Sequence, residues 1–163
     1  VARVFDAYVA LFRGIPLVVQ LFIWYYGLPR IGMSIADFSP SLSRLFYLSP
    51  YAASVIGFSL CSGAYQSEYI RGALLSIKRG QNLAAQALGF STFQMVRSII
   101  LPQAFRRALP GCGNEIIYLI KYSSLAYMVT CIELTGEAKI LASHSFKYLE
   151  VFFTVGVFYT ANG

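Results

Sequence analysis

Residues 81–102 read QNLAAQALGFSTFQMVRSIILP, a soluble-looking hairpin set inside an otherwise membrane-like chain. Asn82–Leu88 is rich in good helix formers, and Gly89 stands where a left-handed C-terminal cap needs glycine. Ser91 followed by Gln94 fits a capping box, so a second short helix is expected to start at once. Pro102 cannot donate a backbone hydrogen bond and disfavours helix at the residue before it, so that helix is expected to end or kink there. Ala84, Ala85 and Gly89 are expected to leave one side of the hairpin almost bare of side chains. A bare surface lets another protein's backbone approach closely; ordinary helix packing within a membrane domain is the competing reading of the same small residues.

The residues around the hairpin give it a side of the membrane. Between positions 71 and 107 stand Arg71, Lys78, Arg79, Arg97, Arg106 and Arg107, with no acid among them. The flanking stretches are mixed: Arg30, Asp37 and Arg44 in one, Glu133, Glu137, Lys139, Lys147 and Glu150 in the other. This asymmetry is the positive-inside pattern, which places the hairpin in the cytoplasm and the mixed stretches outside. The net charge of +6 is therefore read as membrane sidedness, not as a nucleic-acid patch.

With 57% apolar and only 12% charged residues, the chain falls in the membrane class and is expected to be all-α, a single domain. Spans are expected at about 9–28, 46–76 and 108–132, with a truncated span at 149–163 and a cytoplasmic loop at 78–106. Trp24, Tyr25 and Tyr26 suit the outer interface, where aromatic rings favour the headgroup level. Pro29–Pro50, with its Gly, Ser and Pro residues, reads as an extracytoplasmic connection. The small residues Ala52, Ala53, Gly57, Ser62 and Gly63 suit a closely packed membrane helix. The chain begins at Val1 with no initiator methionine and no signal peptide, and the apolar run Val151–Ala161 is about half of the ~20 residues a span needs, so a fragment of a longer protein is expected.

Asn114, Glu115 and Lys121 fall at or near membrane depth, where ionisable groups are expensive and usually face a bundle interior or a watery cavity. Asn114 and Lys121 share a helix face; Glu115 and Lys121 are offset by about 120°, so Glu115 is expected to find its partner on another helix or subunit. Two readings stand for them: a translocation path, or a structural ion pair or interfacial placement. Asn114, Ser123 and Ser124 are weaker path candidates, since Ser and Thr hydroxyls in membrane helices commonly bond their own backbone. Glu68 and Arg71 are expected near the cytoplasmic end of a helix as structural or gate residues. Cys61, Cys112 and Cys131 lack metal-ligand spacing and sit in apolar sequence, and His144 stands alone, so no metal or catalytic site is assigned.

With the hairpin between two spans and facing the cytoplasm, the sequence resembles an ABC transporter permease. The resemblance rests on the signature loop EAA, three residues, G, nine residues, I, any residue, LP, to which Ala84, Ala85, Gly89, Ile99, Leu101 and Pro102 correspond. Within that family it is similar to the polar amino acid uptake subfamily, through YVALFRGIPLVVQLFIWYYGLP (8–29), GAYQSEYIRGALLSIKRGQ (63–81), ALGFSTFQMVRSIILPQAFRRALPGCGNEIIYLIKYSSL (87–125) and IELTGEA (132–138). The resemblance implies a type I ABC importer transmembrane domain, here a fragment lacking the first helix and part of the last. It implies that the signature loop docks as coupling helices in a groove of an ATP-binding subunit. Further implied partners are a second permease subunit, identical or different, an extracytoplasmic solute-binding protein and a polar amino acid.

The chain carries no GxxxxGK[ST] loop, so ATP and Mg are expected on the partner ATPase, with no cofactor in this chain. Two departures stand out: Leu83 where the family usually has glutamate, and Tyr122 where an acid commonly follows the lysine. The expected role is a multi-pass permease subunit of an ATP-driven importer in the cytoplasmic (inner) membrane. The alternatives are a permease for another small solute, or a non-transporting membrane scaffold or inactive fragment.

Overall fold

The computed structural model describes residues 2–161, and every regular element among them is helical. Helix α1 (Ala2–Gly14) breaks at Ile15 and Pro16, and α2 (Leu17–Phe22) runs through a π-turn at Ile23–Gly27 into α3 (Leu28–Ala36). A four-residue helix α4 (Pro40–Ser43) and a 3-10 turn (Arg44–Phe46) lead to the long helix α5 (Pro50–Leu75). The hairpin follows as α6 (Arg79–Ala87) and α7 (Thr92–Met95), and a π-turn at Val96–Ile100 leads into α8 (Leu101–Tyr122). A 3-10 segment (Ser123–Val129) then connects to α9 (Leu134–Ser145) and α10 (Tyr148–Ala161).

Helix α5 is the centre of the fold. Ser49 caps it by accepting a hydrogen bond from the Ala52 amide at 3.1 Å, and Pro50 fits its first turn because the N–H lost there has no helical partner. Its buried residues are nearly all small: Ala53, Ser54, Gly57, Cys61, Ser62, Ala64 and Ala73. They let α1, α2 and α8 approach closely. At Gly57 an added Cβ would lie 2.8 Å from Leu21 Cδ2, and Leu21 is fully buried. Large apolar side chains, by contrast, cover the outside, among them Phe38, Phe146, Leu149 and Phe153. Small residues inside and large ones outside is the packing expected of helices whose solvent is hydrocarbon.

Three sequence expectations are revised. The expected 9–28 span is not one straight helix, because Pro16 breaks it and the segments Arg3–Gly14 and Leu17–Ala36 meet at 104°. Among the described residues no single helix is long and apolar enough to cross a membrane; this bent pair and two others, Pro40–Phe46 with Pro50–Leu75 and Thr92–Val129 with Leu134–Ser145, meet that test of length and composition together. The Pro29–Pro50 connection is largely helical, since each of Pro29, Pro40 and Pro50 falls in the first turn of a helix, where proline is tolerated. Finally, Pro102 ends nothing. The π-turn at Val96–Ile100 comes immediately before it, so Pro102 enters in the first turn of α8 and the chain stays helical from Thr92 to Val129. The expected last span coincides with α10 as far as Ala161; Asn162 and Gly163 lie outside the described residues.

Candidate functional site

The hairpin forms as its local chemistry dictates. Gly89 adopts φ +79°, and the amides of Gly89 and Phe90 donate to the carbonyls of Gln86 and Ala85 at 2.9 and 3.1 Å, closing a Schellman cap on α6. Ser91 and Gln94 complete the capping box: the Gln94 amide donates to Ser91 Oγ at 3.3 Å and the Ser91 amide to Gln94 Oε1 at 2.9 Å. These caps fix a tight reversal between α6 and the helix that continues into the membrane domain.

The surface it presents differs from the bare face expected. Ala85 is buried at 2% exposure, while Ala84 and Gly89 are exposed. What the hairpin offers outward is an apolar set: Leu83 at 66%, Leu88 at 77% and Phe93 at 71% exposure. Leu88 and Phe93 flank the glycine cap and the capping box, a sequence signal that small-residue counting passed over. Ile99 is half-buried, whereas Leu101 and Pro102 are exposed where the π-turn meets α8. The LP end of the signature therefore shapes the entry to α8, and the Ala-Gly end shapes the turn.

The second cluster lies between α5 and α8. Glu115 is buried, 4% exposed, on the helix that packs most extensively against α5. Gln66 Nε2 donates to Ser62 Oγ at 3.1 Å, extending the line of polar groups along α5. Asn114 and Lys121 are exposed on a different face of α8 and do not join Glu115. Ser123 and Ser124 donate to the carbonyls of Ile120 and Lys121 at 2.7 and 2.8 Å, which spends their hydroxyls on their own backbone. The rings of Tyr118 and Tyr122 stack, centroids 5.7 Å apart at 14°.

Toward the hairpin end of α5, Arg71 grips Glu68 with two hydrogen bonds of 2.7 and 2.6 Å. Arg13 reaches the same carboxylate at 3.4 Å and lies 5.2 Å from the Tyr65 ring centroid, tying α1 to α5. On the other side of the chain Glu133 was missed as a structural residue. Its carboxylate accepts from the amides of Thr135 and Gly136 at 2.8 and 3.0 Å, and from Tyr159 Oη at 3.0 Å, joining α9 to α10. Tyr25, expected at the interface, accepts from Thr130 Oγ1 at 3.2 Å.

Residues 1–161 match the family described as "Binding-protein-dependent transport system inner membrane component". Similar proteins include the "Probable amino-acid permease protein YxeN" of Bacillus subtilis, 41% identical over 152 residues, 93% of this chain and 63% of that protein. The "Octopine transport system permease protein OccM" of Rhizobium radiobacter is 40% identical over 152 residues, 93% and 60% of the two chains. The "Glutamine transport system permease protein GlnP" of Escherichia coli is 38% identical over 152 residues, 93% and 64%. The chain thus spans less than two thirds of the length of these curated relatives. A solved structure titled "Crystal structure of an amino acid ABC transporter with histidines" superposes with a TM-score of 0.82 at 31% identity, covering 96% of this chain and 67% of that one.

Proposed function

Because this chain belongs to the family of binding-protein-dependent transport system inner membrane components, we propose that it is the membrane-spanning permease subunit of an ATP-driven importer for a polar amino acid. The observation that carries this is the unbroken family match over residues 1–161, together with similar proteins named as amino-acid and glutamine permeases. The protein sits in the inner membrane, as the family description has it. The rest of the reading concerns how it would work.

The Arg79–Ile100 hairpin faces the cytoplasm and docks on an ATP-binding subunit, which binds ATP and Mg. Exposed Leu88 and Phe93 supply apolar contact, and Leu83, in place of the usual glutamate, makes that contact apolar throughout. Closure of the ATPase pair moves the hairpin. Because the chain is helical from Thr92 to Val129, that motion passes directly into the membrane helix bearing Glu115. Alternating access then follows as a shift between two packed arrangements, completed by a second permease subunit and fed by an extracytoplasmic binding protein.

A second reading, a permease for another small solute, is supported by the similarity to the octopine permease. One experiment tests both. The full-length protein is reconstituted with its ATP-binding subunit and candidate binding proteins and screened for ATP-dependent uptake over amino acids and other small solutes. Uptake of a polar amino acid is expected; no uptake of any solute by an intact complex would sink transport in favour of a scaffold.

A further inference from the structure

Helices α9 and α10 form an antiparallel pair tied at both ends. At one end the chain reverses at Phe146, φ +58°, which closes α9; at the other, Tyr159 Oη donates to the Glu133 carboxylate at 3.0 Å. Between these ties one side of the pair opens into a groove of about 610 Å³. Its lining is apolar, with buried Ala138 and Val155 beside Leu134, Leu141 and Val151. Ser145 and Thr154 also line it, but their hydroxyls donate to the carbonyls of Leu141 and Glu150, at 2.8 Å each, one turn back on their own helices.

The groove is too narrow for a protein helix to fill. Its α9 wall, Leu134 to Ser145, is about 16 Å long at 1.5 Å per residue. Volume and length together give a mean cross-section of about 40 Å², roughly half of what a helix 10–12 Å across occupies. Such a slot suits extended hydrocarbon chains. Exposed Phe146 and Leu149 flank the turn and continue the apolar surface around it.

The border of the groove is charged with both signs. Glu137 stands on α9, Lys147 in the turn and Glu150 in the first turn of α10. Among the described residues every ion pair falls on Glu68, so none of these three is matched by one. Lys147 attracts a phosphate, and the carboxylates attract an ammonium. Two acids to one base leave the border net negative, which disfavours a headgroup that is purely anionic.

We propose that the α9–α10 groove binds a zwitterionic phospholipid with an ammonium headgroup, phosphatidylethanolamine. Its acyl chains lie along Leu141, Val151 and Val155, and its headgroup sits at Lys147 and Glu150. The site requires that the chain lie in a membrane and is independent of the solute carried.

The test uses the full-length permease with its ATP-binding subunit, placed in vesicles of equal parts phosphatidylethanolamine and phosphatidylglycerol. After mild extraction the retained lipid is measured by native mass spectrometry. Wild type is expected to retain phosphatidylethanolamine over phosphatidylglycerol by about fivefold, the scale of one charge contact at a membrane surface. Thr154→Trp, which fills the groove with an indole, should abolish that preference, and Glu150→Lys should turn it toward phosphatidylglycerol. Equal retention of both lipids by wild type, or an unchanged preference in either assembled variant, would overturn the proposal. Should Thr154→Trp not assemble, Glu150→Lys at the exposed border decides alone. Photo-reactive benzoylphenylalanine in place of Leu141 identifies the occupant, with a mass gain of one phosphatidylethanolamine expected. A cross-link to another segment of the full-length chain or to a second permease subunit, or none to lipid, would overturn the site. Uptake in the same vesicles keeps the two levels apart: no ATP-dependent uptake with phosphatidylethanolamine still retained sinks the permease reading and leaves the lipid site standing.

Discussion

The Arg107 guanidinium donates from Nη1 to both the backbone carbonyl and the hydroxyl of Ser76, at 2.6 and 2.7 Å, bridging the start of α8 to the C-terminus of α5. The last carbonyls of a helix have no partner within it and carry partial negative charge, so a cation there both satisfies and stabilises the end. The Ser76 hydroxyl also donates to Ala73 at 2.7 Å, so one side chain serves both helices.

Arg107→Leu is therefore expected to lower stability by about 1–2 kcal/mol, seen as a lower thermal midpoint of the purified full-length protein. Ser76→Ala should cost less, because the backbone carbonyl still accepts. Equal midpoints for wild type and Arg107→Leu would show that the bridge contributes nothing.

At the hairpin, Leu88→Asp places a charge on the exposed apolar face without touching the Schellman cap, and loss of co-purification with the ATP-binding subunit is expected. Gly89→Glu should have the same effect for two reasons, added charge and a left-handed backbone costing about 1 kcal/mol for a side-chain-bearing residue. Gly89→Ala isolates the backbone term. If Leu88→Asp binds and stimulates the ATPase normally, the docking assignment fails.

Between α5 and α8, a Cβ at Gly111 would meet the Tyr69 ring at 2.9 and 3.0 Å. Gly111→Ala is expected to destabilise by about 1–3 kcal/mol, since a packed contact has no slack. In a double-mutant cycle, Tyr69→Leu should recover part of that loss, so the two changes will not be additive. Additivity would mean that the ring is not what limits the approach.

At the start of α9, Glu133→Gln keeps the shape of the side chain but weakens the cap on α9 and its link to Tyr159, at a cost of about 1–2 kcal/mol. Faster hydrogen exchange at the amides of Thr135 and Gly136 is the expected sign. Tyr159→Phe should leave those two amides protected, because their bonds to the carboxylate remain.

Much of the hairpin was legible residue by residue. The glycine cap and the Ser91–Gln94 box are local chemistry, settled within a few residues, and both form as written. The side of Ala85 was not legible, because burial depends on what packs against α6 and not on the size of alanine. Pro102 misled for a related reason: a proline stops a regular α-turn, but a preceding π-turn leaves room for it, and nothing in the local pattern announced that turn. Glu133 was passed over because an acid beside Thr and Gly reads as surface until Tyr159, 26 residues on, folds back to it.

By itself the sequence determined the all-helical membrane-type chain and the family signature, since composition and motif spacing are properties of the string. Tertiary structure alone decided that the first segment bends through 104°, that the hairpin shows leucine and phenylalanine outward, and that Glu115 is buried while Lys121 stays outside. The physical reason is that burial and partnership are set by helices distant in sequence. A spacing of six residues gives the angle between two side chains on α8, but only α5 determines which of them is enclosed.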